Sequence, residues 1–338
     1  MALKGSQQAD DLLIPKGIVL AFPIVDGAVQ KEGIDLGYCQ ETDLRVAESV
    51  KSRYTARDGS KSKIYEKVIK TDYSIPMTII SVNPDNFNIL FHGEKGTWTQ
   101  TKGSFSSSPE DVTAPSVLDR AIELTKKSVT VSTLKYKNGT ADFTKGKTLT
   151  GGTSGATAYI AWVSGDTESG LLTLVEVSGE FQDGEAITDD ATGSAKADGT
   201  DSLKENIVLT DSAGTTRYVL DTDYGLHSDS GILFFLSGGT ISPSASLKAY
   251  YDYAEKSDVL IKQGEKATRE YRIMILPQVD EGPKIEWTFW RCAVYTDTSL
   301  KLITESDSDL EISLTFTPLA DGPGATSEFP YFKQRFIS

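Results

Sequence analysis

The sequence predicts a mainly β protein: a sandwich or barrel domain with one or two short flanking helices and a small β domain inserted into it. Three observations predict this. Apolar residues recur in period two along most of the chain. Turn signals such as Asp58-Gly59 and Gly165-Asp166 separate the alternating runs. Gly, Thr and Ser are abundant, with 29 glycines in 338 residues, and they suit turns and β structure better than helix interiors.

The strands follow in order. An apolar run at 18–25 opens the series. Leu44, Val46, Glu48 and Val50 then alternate with Arg45, Ala47, Ser49 and Lys51, and a matching run spans 64–69. Two such runs across Asp58-Gly59 predict a long hairpin. Further strands are predicted at 73–82, 207–210, 232–236, 246–253, 271–276, 285–295 and 310–319. In the last, Leu310, Ile312, Leu314 and Phe316 share one face and Glu311, Ser313, Thr315 and Thr317 the other, the pattern of a half-buried strand.

Two helices are predicted. Ser116 opens S-x-x-D, and Val117, Leu118, Ala121, Ile122 and Leu124 form one stripe to about Lys126. A shorter helix follows Pro84, with Phe87, Ile89 and Leu90 inward and an end near Gly93. Residues 101–114, rich in Ser, Pro and Gly, are predicted as a loop.

The middle of the chain changes character. Phe143-Thr-Lys-Gly146-Lys-Thr-Leu149-Thr150 matches Phe181-Gln-Asp-Gly184-Glu-Ala-Ile187-Thr188, thirty-eight residues later, with glycines aligned at Gly155 and Gly193. Strands at 156–163 and 171–177 lie between the copies. Two similar β units of this size pair into one small barrel or sandwich. Residues 138–200 hold ten carboxylates and three lysines, a net −7. The expected division is therefore a discontinuous domain, 1–137 with 205–338, and an inserted acidic module, 138–204.

Charge and cysteines narrow the function. A net charge of −14 argues against non-specific grip on nucleic acid, which needs a basic face. Cys39 and Cys292 lack C-x-x-C spacing and predict free thiols in a reducing compartment. Residues 1–20 have no basic region followed by an apolar core, and no apolar run reaches the length of a spanning helix. A soluble protein made in a cytoplasm is expected.

Catalytic constellations fail one by one. His92 and His227 lack metal-ligand spacing. Gly146-Lys147-Thr148 resembles the end of a P-loop, but Ala141 stands where the first glycine belongs. Gly152-Thr-Ser154-Gly155-Ala156 misses the final glycine of a nucleophile elbow. Asp221-Thr-Asp223 and 305–311 carry acids without EF-hand spacing. Asn138-Gly-Thr140 is a formal sequon, better explained as an Asn-Gly turn. No catalytic residue, cofactor or metal is expected. Forty-eight acidic residues make some carboxylate pair inevitable, so a pair is no argument for a glycosidase.

One charge pattern stands apart. Lys51, Arg53, Arg57, Lys61, Lys63, Lys67 and Lys70 face only Asp58 and Glu66 within 51–70, a net +5 inside an acidic chain. A basic hairpin either stays in solvent, with its lysines guarding against aggregation, or docks on an acidic surface such as another copy. Sheet edges of a large β domain also need partners, and head-to-tail pairing with copies closes a ring.

The order of features resembles the major tail tube proteins of long-tailed bacteriophages, over residues 15–137 and 205–338. The strand Tyr73-Ser-Ile-Pro-Met-Thr-Ile-Ile-Ser-Val82 and the segment from Asn83 to Gly93 resemble that family's strand and glycine-terminated helix. Ile207-Val-Leu-Thr-Asp211, Asp221-Thr-Asp-Tyr224, Gly231-Ile-Leu-Phe-Phe235 and Ala245-Ser-Leu-Lys-Ala-Tyr-Tyr251 look like a pattern of phage tail subunits. The runs from Trp287 to Tyr295 and from Leu310 to Asp321 resemble its last two tube strands. The insert, with Thr153-Ser-Gly-Ala-Thr-Ala158, is similar to small β modules on virion proteins. The resemblance implies a virion protein assembled in the host cytoplasm into stacked six-membered rings. Each subunit would lend about four strands to an inner barrel, and roughly two dozen strands leave a wide bore. The basic hairpin would reach the neighbouring ring. Implied partners are further copies, a tape-measure protein in the lumen, tail terminator and tail-tip proteins, and DNA passing without specific binding. The alternative is a surface β-sandwich that binds carbohydrate or a receptor, with Trp98 and Trp162 as stacking platforms.

Overall fold

A computed structural model describes residues 17–55, 61–264, 270–278, 284–296, 300, 302 and 310–337. The protein is mainly β. Its elements begin with β1 (Gly17–Val25), β2 (Ala28–Val29), β3 (Ile34–Asp35), β4 (Cys39–Thr42), β5 (Arg45–Thr55), β6 (Ser62–Ile79), α1 (Pro84–Leu90) and β7 (Glu94–Gln100). There follow β8 (Gly103–Thr113), β9 (Arg120–Glu123), β10 (Val129–Ala141), β11 (Thr148–Gly151), β12 (Thr157–Gly165), β13 (Gly170–Ser178), β14 (Ala186–Asp189), β15 (Ser194–Ala197) and β16 (Ser202–Lys204). The series closes with β17 (Val208–Asp211), β18 (Tyr224–His227), β19 (Ile232–Phe235), β20 (Ser246–Tyr253), β21 (Lys256–Lys262), β22 (Glu270–Pro277), β23 (Lys284–Tyr295), β24 (Ile312–Pro318) and β25 (Phe332–Ile337). Among the described residues no helix is long and apolar enough to cross a membrane.

The chain divides into two compact units, one up to Thr97 and from Val259 onward, the other Trp98–Asp258. These boundaries lie well outside the expected module limits of 138 and 204. β7 and β21 pair with each other as a two-stranded sheet.

The first unit is built on the sheet β2-β1-β22-β23-β24-β6-β4. Its core alternates as predicted: Ile312, Leu314 and Phe316 on β24 are buried against Ile75, Met77 and Ile79 on β6. β23 shares one edge between two partners, β25 along 284–289 and β24 along 292–295. α1 starts where Asn83 caps it, accepting the Asn86 N–H at 2.8 Å, with Pro84 supplying a pre-set first turn. It ends with His92 in the left-handed region and the Gly93 N–H donating to Asn88 O at 3.0 Å. Ile89 and Leu90 are buried and Phe87 packs beside them, as the sequence predicts. Asn86 is fully buried, and its amide donates to Leu36 O (3.0 Å) and Ser81 O (2.8 Å), tying the helix to the strand connections.

The second unit corrects three expectations. Residues 116–126 do not form a helix. Asp119 has φ 60°, its carboxylate accepts the Ser237 N–H (2.9 Å), and β9 pairs with β19. An eleven-residue helix is marginal in water, and the β19 edge offers a full ladder instead. Ile122 and Leu124 serve that strand equally well, with Leu124 buried. Residues 101–114 are not a loop but largely β8, an edge strand on β20. Its Ser-Ser-Ser-Pro stretch, 106–109, is accommodated in a bulge between the Glu110–Ala249 and Phe105–Tyr251 pairs, where Pro109 costs no ladder bond. Asn138-Gly139 is not a turn but a bulge inside β10, with Asn138 at φ 52°. A Cβ on Gly139 would sit 1.8 Å from Thr167 O, so only glycine fits there.

The near-repeat folds as a closed barrel. β13-β12-β11-β14-β15-β10 form a path of six strands, and β10 pairs back onto β13. The ladders display a pseudo-twofold axis. Leu134 pairs with Leu172 and Thr150 with Thr188, and each pair is separated by the repeat length of thirty-eight. The left-handed bulge residues Asn138 and Glu176 are likewise thirty-eight apart. Phe143 and Phe181, and Leu149 and Ile187, supply equivalent parts of one core. The barrel is no detached bead: β10 continues into pairing with β20, and β16 runs beside β10, with Val131 opposite Lys204. Val131, Val175, Val208 and Tyr250 form a separate buried cluster at this junction. The Glu176 N–H donates to the Asp252 carboxylate (2.7 Å), and the Glu176 carboxylate accepts the Ser106 hydroxyl (2.6 Å).

Replacing Asn86 with Ala removes two buried hydrogen bonds and leaves two carbonyls short of a donor. A loss of about 2 kcal/mol is expected, read as a lower urea midpoint for the first unit.

Candidate functional interface

The β5–β6 hairpin is the feature the core does not account for. β6 is 18 residues long, about 60 Å at ordinary strand rise. Its last residues are core: Ile75, Met77 and Ile79 are at most 2% exposed. Its first two-thirds pair only with β5, from Thr55–Ser62 to Arg45–Ser74. At the root, Tyr73 contacts the rings of Tyr331 (5.2 Å) and Phe332 (5.3 Å). The Asp58-Gly59 turn and Arg57 lie outside the described residues.

The register sorts the side chains. Alternation along β5 and cross-strand pairing place Arg45, Lys51 and Arg53 on one face with Lys67 and Lys70. The other face carries Val46, Val50 and Tyr54 with Val68 and Tyr73, interspersed with Glu48, Ser52, Lys63, Glu66 and Thr71, while Tyr65 lies opposite Arg53 on the basic face. Two register shifts leave Ile64 and Ile69 as the extra residues of β6. The hairpin is thus amphipathic, yet neither face is buried. Val46, Val50, Tyr54, Ile64, Tyr65, Val68 and Ile69 are seven of the 22 exposed large apolar side chains among the described residues. The sequence predicts this hairpin in solvent or on an acidic surface by its charge, and the exposure of its strands agrees, but the apolar residues on it were not part of that expectation.

Of the basic residues predicted for the site, Lys51, Arg53, Lys61, Lys63, Lys67 and Lys70 are all exposed on this hairpin. Lys63 pairs with Glu66, and Lys70 with Asp72 at 2.9 Å. Among the described residues, Lys51, Arg53, Lys61 and Lys67 have no carboxylate within ion-pair distance.

The first unit also holds an open groove of about 1140 Å³. Half-buried Ile18, Ile275, Ile285 and Trp287 line it. So do three exposed carboxylates, Asp35, Glu41 and Asp43, and the lining holds no basic residue. Nothing in the sequence pointed to this groove, because its walls come from β1, β3, β4, β6, β22 and β23.

The discarded catalytic motifs have structural work. The Ser154 hydroxyl donates to the Glu185 carboxylate (2.9 Å), which also accepts the N–H groups of Thr153 (3.0 Å), Ser154 (2.9 Å) and Gln182 (2.7 Å). Burial pushes the Glu185 carboxyl up, but these donors outweigh it and hold it below the ordinary glutamate value. The Asp223 carboxylate accepts Val219 N–H (2.7 Å), Thr240 N–H (2.7 Å) and the Thr240 hydroxyl (2.8 Å), closing the turn before Tyr224. The Tyr224 hydroxyl donates to Ile207 O (3.1 Å), so the Asp-Tyr pattern is a packing device. His92 follows α1 and His227 lies on β18. Cys39 is half-buried and Cys292 buried, both free, with burial the main cause of their raised thiols. Among the described residues no group of three His, Cys, Asp or Glu side chains is placed to hold a metal. The two tryptophans considered as sugar platforms each carry a lysine over one face: Lys127 at 5.5 Å from Trp98 and Lys145 at 4.8 Å from Trp162.

The model of a family described as protein of unknown function UCP028589 matches residues 173–328. No curated protein matches the chain.

Two outcomes separate interface from scaffold. Serine at Lys51, Arg53 and Lys67 is expected to change folding stability by no more than about 0.5 kcal/mol per site in a urea titration. Glu185→Ala orphans several buried donors and is expected to cost about 3 kcal/mol. The stability contributed by the lowered Glu185 carboxyl is present above pH 4.5 and lost as the pH falls through its folded value. That acid limb should vanish in the Ala variant.

Proposed function

We propose that this chain is a virion structural protein, the subunit of a hollow phage tail tube that closes into rings with copies of itself and stacks ring upon ring. One observation carries the reading. The β5–β6 hairpin exposes most of its apolar side chains on a face of mixed character and most of its cations on the opposite face, and its outer edge on β5 has no strand beside it among the described residues. An isolated two-stranded ribbon is marginal in water, and an exposed apolar edge is an aggregation hazard to a monomer. Both problems end when the hairpin lies on a neighbour.

The contact is heterologous, since a hairpin is received by a different surface. Such contacts close rings or extend as filaments. Basic side chains along the hairpin set register on an acidic partner and discourage wrong pairings. The net charge of −14 also suits a conduit for DNA, because adhesion to a polyanion requires cation-rich contacts. In this reading the partners are further copies of the chain, a tape-measure protein within the bore, and terminator and tip proteins at the ends. Assembly takes place in the host cytoplasm.

Electron microscopy of the purified full-length protein tests the reading, with rings or tubes expected. Lys61→Glu with Lys63→Glu is expected to abolish stacking while leaving the folded subunit intact by circular dichroism. Discrete particles at every wild-type concentration would overturn the proposal.

A further inference from the structure

The acidic groove of the first unit and the hairpin are complementary in two respects. The hairpin presents Val50, Tyr54 and Val68 on one face and Lys51, Arg53 and Lys67 on the other. The groove presents half-buried Ile18, Ile275, Ile285 and Trp287 beside Asp35, Glu41 and Asp43. We propose that the groove of one copy is the seat of another copy's β5–β6 hairpin. The inference rests on the self-assembly reading above and adds the receiving surface.

Geometry excludes the copy's own hairpin. Asp43 and Leu44, which line the groove, immediately precede β5, and Ile75, which also lines it, follows the hairpin in β6. The groove therefore lies at the hairpin's root. The ladder from Arg45–Ser74 to Thr55–Ser62 carries the far end roughly 30 Å from that root at ordinary strand rise. A continuous antiparallel ladder does not fold back on its base. Donor and acceptor thus sit apart on one subunit, the arrangement that propagates head to tail instead of closing a two-fold dimer. Charge supports the same occupant. The groove lining is acidic without a basic residue, with Asp43 paired to Arg45 at 3.6 Å and no cation within ion-pair distance of Asp35 or Glu41 among the described residues, while four hairpin cations have no carboxylate partner among them. Pairing the hairpin cations with Asp35 and Glu41 reduces both imbalances.

The test uses charge reversal in the full-length chain, with assembly followed by sedimentation velocity and electron microscopy. One variant carries Glu41→Lys and Asp43→Lys, a second carries Lys51→Glu and Lys67→Glu, and a third carries all four. Each pair alone is expected to raise the protein concentration needed for assembly at least tenfold, and the fourfold variant to recover most of it. Circular dichroism and thermal melting check that each variant is folded. An independent measurement needs no variant. Carbodiimide cross-linking of mixed light and heavy wild-type copies is expected to join Lys51 or Lys67 of one copy to Glu41 or Asp43 of another. If the groove pair assembles normally while the hairpin pair does not, the seat lies elsewhere and only this inference falls. Cross-links of Lys51 or Lys67 to carboxylates of a neighbouring copy other than Glu41 and Asp43, with none to these two, would overturn it likewise. Failure of the wild type to assemble would remove the self-assembly reading and the inference together.

Discussion

β6 is one unbroken strand with two environments, and most of the protein's behaviour depends on that continuity. At its end, Ile75, Met77 and Ile79 are locked between β24 and β4 in the core of the first unit. At its start the same strand stands in solvent with only β5 beside it. Burial of the core half holds the exposed half in register, which a free ribbon of this composition could not maintain. The bulges at Ile64 and Ile69 add twist to the ladder, and twist is one way proteins keep an exposed edge from pairing indiscriminately. The hairpin is therefore pre-organised, so the proposed docking would require little ordering of its backbone.

Much of the fold was legible because its signals were local. Period-two runs located β1, β12, β13, β20, β22, β23 and β24 to within a few residues. Asn83-Pro84 marked the start of α1 through cap chemistry that acts within one turn. The misreadings share a different cause. β9 and β8 owe their conformation to partners far along the chain, β19 and β20, and neither partnership can be read from the residues themselves. Leu118, Ile122 and Leu124 satisfy both a helical stripe and a strand, and the partner decides. Asn138-Gly139 carries the chemistry of a turn, but that chemistry is left-handed backbone, which a bulge needs equally.

The candidate interface was half legible. Its cations stood out because +5 within twenty residues is anomalous in an acidic chain. Its apolar face did not, because valines alternating on a strand look the same whether they face a core or solvent. The groove lay beyond sequence reasoning altogether, since Ile18, Glu41 and Trp287 meet only through sheet order. Acidic residues elsewhere were easy to overread. Glu185 and Asp223 are held by backbone donors and brace turns, so the charge count of a segment says little about what its carboxylates do.

The six-stranded barrel bears on how freely this part of the chain can change in length. The backbone goes into the barrel along β10 and comes out along β16, side by side, with Val131 opposite Lys204. Such a geometry lets some seventy residues be spliced in or trimmed away across a gap one strand wide, without rerouting the host ladders. The small cluster of Val131, Val175, Val208 and Tyr250 sets the terms of that exchange. A cassette swapped into this position must bring its own apolar patch for Val208 and Tyr250, so the host surface screens its guests by hydrophobic fit.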